Sequence, residues 1–430
     1  MKKSIDRYGF DTLAIHAGQD PDPCTLSRGV PVYRTSAYVF RDSKHAADLF
    51  SLKELGNIYT RIMNPTTDIL EKRIAALEGG IAALALASGT SAVFYAIINI
   101  LEAGDEFIAS RNLYGGTYTM FNDVLPQFGI TVRFVDYDDP GQFRAALTNK
   151  TRAIFVESIG NPTLGVPDFD AIAAIAREAH VPFIVDATFT PPCMFRALDH
   201  GADIVVHSLT KWLGGHGAGI GGVVVDSGKF DWTDPKFRLY NLPEPSYGGL
   251  RFAHDLGDLQ SMAYILRMRL VPLRNLGACI SPDNAWIFLQ GVETLSLRME
   301  RHCANAEQVA NHLLNHPQVE WVRYPALPCD PSYPFVQKYF FGGKGGGMVV
   351  FGVKGGASEA ERFVNRLELF SHLANVGDAK SLAIHPASTT HSQLSAAQQT
   401  AAGVPPDLIR LSIGLEDIHD IIDDIDQALG

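Results

Sequence analysis

From about residue 82 the chain alternates short apolar runs with stretches of helical periodicity, and nothing else constrains its fold as strongly. The runs are Leu84–Ala87, Glu106–Ala109, Val132–Val135, Ala153–Val156, Phe183–Val185, Ile204–Val206 and Gly222–Val225. Between two of them, Asp168–His180 places Ile172, Ile175, Ala176 and Ala179 on one helical face. Strands that are apolar on both faces, separated by helices, indicate an α/β fold around a mostly parallel sheet. Ligands of such sheets sit at the carboxyl ends of the strands. Past residue 285 the texture changes. Helices are predicted over Asp283–Gln290 and Thr294–Asn315, then a glycine-rich turn at Phe341–Gly347 and a strand at Met348–Val353. A last strand, Leu408–Ile413, leads into an acidic helix from Glu416, which completes a smaller α+β domain. The first sixty or so residues, with Pro21, Pro23 and Pro31, read as irregular. The expected division is therefore 1–65, 66–285 and 286–430.

Composition removes several function classes. At 430 residues and 46% hydrophobic, the chain buries real cores and divides into domains. Its 47 acidic and 36 basic residues give a formal charge of −11, a poor match to nucleic acid or anionic membranes. Five widely spaced cysteines without a C-x-x-C indicate reduced thiols, and Met1–Asp6 opens no secretory apolar segment, so a cytoplasmic protein is expected. The uncharged stretch between Glu78 and Glu102 is interrupted by Ser88-Gly89-Thr90-Ser91. It reads as a buried strand, Ala82–Ala87, and a helix from about Ser91 to Leu101, not a membrane span. His385 and His391 suggest no third ligand, so no metal is expected.

Two generic motifs carry little. Gly217–Gly222 satisfies G-x-G-x-x-G but precedes a strand, whereas a dinucleotide site needs the strand first and a helix after. Ser208-Leu209-Thr210-Lys211 matches the S-x-x-K of serine acyl-enzymes, without the partner motifs of that class. Lys211 is better read from its surroundings. A lysine at the end of an apolar strand, partly desolvated, has the lowered pKa needed to form a Schiff base with an aldehyde. A phosphorylated aldehyde would need anion donors. Ser208, Thr210 and the turn Ser88-Gly89-Thr90, which opens a helix, offer them. Asp186, at the end of another strand, would keep a pyridine nitrogen protonated, and Tyr114 would lay its ring on the cofactor face. Singly, each of these residues also reads as a cap, a core aromatic, a solvated lysine or an ordinary turn. Their order along the chain makes the combination informative.

With these residues in place the chain resembles the pyridoxal-phosphate-dependent enzymes of cysteine and methionine metabolism, the cystathionine gamma-synthase-like family. The resemblance runs from Thr12–Gly18 to Arg410–Glu416 and is most specific over Asp203–Gly217. Tyr59-Thr60-Arg61, Asn64-Pro65-Thr66, Tyr114–Thr117, Glu157-Ser158 and Asn161-Pro162 also match. It implies an aspartate-aminotransferase-like, fold type I large domain with a seven-stranded sheet, and pyridoxal 5'-phosphate on Lys211. Ser88, Gly89, Thr90, Tyr114, Asn161, Asp186, Thr188, Ser208 and Thr210 would surround the cofactor. Tyr59 and Arg61 would reach it from a neighbouring subunit, which implies a homodimer, commonly doubled to a tetramer. Arg410, with Asn161 and Ser381, would hold the substrate, and Tyr114 or Tyr59 would assist Lys211 in proton transfer. Tyr59–Thr66 and Asn375–Leu382 are similar to the O-acetylhomoserine sulfhydrylase branch. That branch makes homocysteine and acetate from O-acetylhomoserine and sulfide or another sulfur donor. Cystathionine gamma-synthase and cystathionine or methionine gamma-lyase activities are the in-family alternatives. Methionine gamma-lyases carry a cysteine at the position of Gly116, which weighs against that activity. Ala187 departs from the asparagine that many relatives have after the ring-nitrogen aspartate.

Overall fold

The computed structural model describes residues 8–390, 392, 399 and 403–430; His391 and Met1–Asp6 lie outside them. Seven strands, β1 (Ala82–Leu86), β2 (Glu106–Ser110), β3 (Thr131–Val135), β4 (Thr151–Glu157), β5 (Phe183–Asp186), β6 (Ile204–Ser208) and β7 (Gly222–Asp226), form one sheet in the order β1-β7-β6-β5-β4-β2-β3. β2 runs parallel to β3 and β4, and β4 parallel to β5, while β1 and β7 pair antiparallel at one edge. The mostly parallel, seven-stranded expectation holds. Every residue of β7, and every residue of β4 except Arg152, is buried, as strands covered on both faces must be.

The chain divides into two compact units, one of Met1–Leu101, Val206–Thr210 and Gly219–Glu293, the other of Glu102–Val205, Lys211–Ala218 and Thr294–Gly430. In the first unit, helices α1 (Phe10–His16) and α2 (Ser43–Phe50) occupy the region that reads as irregular in sequence. Each is two turns long, and α1 has no side-chain cap, so local pattern is too weak to announce it. α3 (Pro65–Glu78) is clearly signalled: the Asn64 side chain accepts from the Thr66 N–H, Pro65 stands at the first turn, and Gly79 closes the helix at φ 77°. α4 spans Gly89–Ile98, beginning two residues before the expected start because Ser88 caps it.

The second unit carries a five-stranded sheet in the order β10-β11-β12-β9-β8, from β8 (Val319–Arg323), β9 (Met348–Val353), β10 (Ser371–His372), β11 (Leu382–Ile384) and β12 (Leu408–Ser412). Its core joins Phe351, Ile409 and Leu411 to Val309 and Leu313 of the helix Leu295–Leu314 and to Ile421 of the helix Ile418–Leu429. This is the expected smaller α+β element. Among the described residues no helix is long and apolar enough to cross a membrane, and no group of three or more His, Cys, Asp or Glu is placed to hold a metal.

Candidate functional site

In the first unit, the turn between β1 and α4 forms a cradle. Ser88 accepts from the Ser91 N–H at 3.0 Å, which starts the helix and places its positive dipole end at this turn. A Cβ on Gly89 would lie 2.6 Å from the Ser208 Cβ, and one on Gly222 would lie 2.2 Å from the Ser88 carbonyl oxygen. Only glycines let these three segments approach so closely. The Thr210 hydroxyl accepts from the Gly221 N–H at 3.1 Å, which holds the end of β6 in place. Tyr59 and Arg61 stand together, the Arg61 guanidinium 5.2 Å over the Tyr59 ring, with Tyr59 exposed. Arg61 also donates to the Arg274 carbonyl.

The second unit holds the groups with chemical potential. The Lys211 amine donates to Asn375 Oδ1 at 2.5 Å. Burial, then the positive charge of Arg410, lowers its pKa from 10.5 to about 8. The loop carrying Asn375 can reach it because Gly377, at φ 75°, packs its backbone on Trp212: a Cβ there would sit 2.7 Å from the Trp212 nitrogen. Arg410, on β12, is buried, which lowers its pKa to about 10, and its Nη1 donates to Asn161 Oδ1 at 3.0 Å. Asp186, at the end of β5, accepts from the Thr188 N–H at 2.9 Å. Tyr114 is half exposed, with its N–H donating to Glu157 Oε1 at 2.7 Å. A Cβ on Gly116 would come within 2.6 Å of the Tyr114 ring, so the glycine gives that ring its pose.

The structure therefore joins Lys211, Arg410 and Asn161 in one polar network, with Tyr114 within electrostatic reach of Arg410. Ser381 is held differently. Its hydroxyl donates to Glu416 at 2.9 Å and accepts from the Gly414 N–H at 2.9 Å, fully buried. Ala187, also fully buried, adds no polar group beside Asp186. Two participants enter the sequence reading only inside motifs of resemblance, Asn375 and Glu157. Glu157 closes an apolar run as any polar residue would, and Asn375 has no local signal at all.

The family of Cys/Met metabolism PLP-dependent enzymes matches residues 11–430. An O-acetyl-L-homoserine sulfhydrylase of Leptospira meyeri is 55% identical over 424 residues, covering 97% of this chain and 96% of the relative. A homocysteine synthase of Schizosaccharomyces pombe is 52% identical, covering 99% of each chain. Among solved structures, a Campylobacter jejuni protein described as an O-acetylhomoserine (thiol)-lyase, and bearing a pyridoxyl-lysine phosphate, is 40% identical with a TM-score of 0.95. That match covers 98% of this chain and 100% of the other.

Proposed function

The chain belongs to the pyridoxal-phosphate-dependent enzymes of Cys/Met metabolism, and we propose that it performs γ-replacement on O-acetyl-L-homoserine. Sulfide or another sulfur donor forms the new carbon–sulfur bond as the γ-carbon–oxygen bond breaks. Acetate leaves with the bonding electrons, and L-homocysteine, an intermediate of methionine biosynthesis, is released. The names of the relatives at 55% and 52% identity support this reading. The observation that carries it is the Lys211 amine, brought to a pKa of about 8 beside Arg410. A base poised near neutral pH is what repeated proton transfers at carbon require. The S-x-x-K reading of Ser208 gives way to the family's cofactor.

The residues present fit a phosphorylated pyridine aldehyde. Glycine at 89 lets the cradle turn pack directly against Ser208, and Ser208 and Thr210 closely precede Lys211 in the chain. When bound, the cofactor supplies an electron sink for negative charge at the substrate α-carbon. Ser88, Gly89, Thr90, Ser208 and Thr210 would hold its phosphate, while Asp186, fixed by the Thr188 N–H, would offer a negative charge to the ring nitrogen. Tyr114 would lie against the ring and Asn161 near its hydroxyl. Arg410 grips the substrate α-carboxylate through two parallel N–H donors. Lys211 takes the α-proton and returns it, assisted by Tyr114 or by Tyr59 of a neighbouring subunit. Residues 1–65 serve as the arm toward that neighbour, 66–285 as the cofactor domain and 286–430 as the substrate clamp. The five free cysteines support a reducing, cytoplasmic setting.

Two experiments test these statements. Purified protein incubated with O-acetylhomoserine and sulfide should release acetate and homocysteine, while cystathionine alone should be left intact. Breakdown of cystathionine without turnover of O-acetylhomoserine would reverse the assignment. Sites shared in a homodimer, paired further into a tetramer, predict complementation. Arg61→Ala and Lys211→Ala subunits, each inactive alone, should regain about a quarter of wild-type activity when dissociated and remixed, because half of the mixed sites in a heterodimer carry neither defect. No recovery would place Arg61 at its own subunit's site.

A further inference from the structure

Glu157 is an expensive residue at its position. It ends β4 directly opposite Asp186 of β5, only 8% exposed, so two carboxyl groups stand side by side where an apolar side chain would complete the strand. Burial, then Asp186, holds its carboxyl well above the usual carboxylate range. Its carboxyl group receives two backbone N–H groups from two different turns, those of Tyr114, at 2.7 Å, and of Asn161. The Asn161 side chain in turn accepts from Arg410 at 3.0 Å. A strand terminator needs none of these bonds, and each of the two turns carries one group of the proposed site.

We propose that Glu157 is a positioning residue that ties the Tyr114 turn to the Asn161 turn, so that the group stacked on the cofactor and the Asn161–Arg410 carboxylate grip keep one register. This rests on the function proposed above. Glu157 touches neither substrate nor cofactor; it acts through the two N–H groups it receives. Its role as a hydrogen-bond acceptor predicts that an isostere with a carbonyl oxygen keeps most of the effect, and that an apolar side chain loses it.

The test compares Glu157→Gln and Glu157→Leu holoenzymes with wild type in three readouts: amide hydrogen exchange, visible circular dichroism of the bound cofactor, and steady-state kinetics. In Glu157→Leu the Tyr114 and Asn161 amides should exchange about tenfold faster, the loss of one net hydrogen bond each. The cofactor's dichroism should change, and KM for O-acetylhomoserine should rise about tenfold while KM for sulfide stays within about twofold. Glu157→Gln should restore the Tyr114 protection and most of the dichroism. Should Glu157→Leu yield no folded holoenzyme, Glu157→Asp, which withdraws the acceptor by one methylene, takes its place with the same expectations. Wild-type exchange and dichroism in the Leu or Asp variant, or a Gln variant no better than it, overturns the proposal. Wild-type protein that fails to turn over O-acetylhomoserine would instead overturn the substrate assignment, leaving exchange and dichroism to decide Glu157.

Discussion

Lys211→Ala protein should lose turnover by at least about a thousandfold, the upper part of the range for a positioned acid–base group, and should emerge from purification without a visible absorbance band. In wild type, borohydride should bleach that band and leave the cofactor covalently fixed on Lys211. The amine is held by Asn375 at 2.5 Å and has a pKa of about 8 in the protein without its cofactor, so it is placed and gives up its proton far more readily than an ordinary lysine. The same pKa carries a stability consequence. The ordinary lysine value of 10.5 falls to about 8 on folding, so between these pH values the unfolded chain binds more protons. Stability therefore rises with pH across that window, and the penalty is complete below about 8. It amounts to on the order of 3 kcal/mol, offset in part by the Asn375 hydrogen bond. Denaturant unfolding of cofactor-free protein at pH 7 should find Lys211→Ala at least as stable as wild type, although it loses a buried side chain. A coloured, fully active Lys211→Ala protein would sink the role of the lysine.

The large-domain sheet was readable from sequence because strands buried on both faces are continuous apolar runs. Six of the seven runs lie wholly within observed strands, and Leu84–Ala87 overruns β1 by one residue. Lys211, Asp186 and Ser88 were readable for the same reason, since each stands at or just beyond the end of such a run. Side chains delivered by distant chain segments were not. Asn375 meets Lys211 across 164 residues, and Arg410 meets Asn161 across 249, distances over which spacing carries no information. Resemblance alone pointed to Arg410. Glu157 was hidden differently: a polar residue after Ala153–Val156 looks like a strand end, and its two N–H partners are visible only once the Tyr114 and Asn161 turns are placed. The helix α1 escaped notice because seven residues without a side-chain cap are stabilised by packing, not by local pattern.

Arg410→Ala should cost about a hundredfold to several thousandfold in kcat/KM for O-acetylhomoserine, because a buried charge partner removed from one side is worth about 3–5 kcal/mol. Most of the loss should fall on KM, with the cofactor still bound and coloured. Arg410→Lys should recover little of it. A lysine is a point charge that cannot present two parallel donors to a carboxylate, and the Asn161 carbonyl would compete for its single head group. The two variants should part company at Lys211. The Arg410 charge contributes to holding the lysine pKa down to about 8, second to burial. In the cofactor-free protein, Arg410→Ala should therefore move the pH midpoint for acylation of Lys211 upward, toward the ordinary value of 10.5. Arg410→Lys, which keeps a positive charge nearby, should leave that midpoint close to wild type. On the proposed function, charge would tune the base while the planar, two-donor geometry would grip the substrate, and one position would serve both. An Arg410→Ala enzyme with unchanged KM for O-acetylhomoserine would remove Arg410 from the carboxylate. An unchanged acylation midpoint would show that burial alone sets the Lys211 amine.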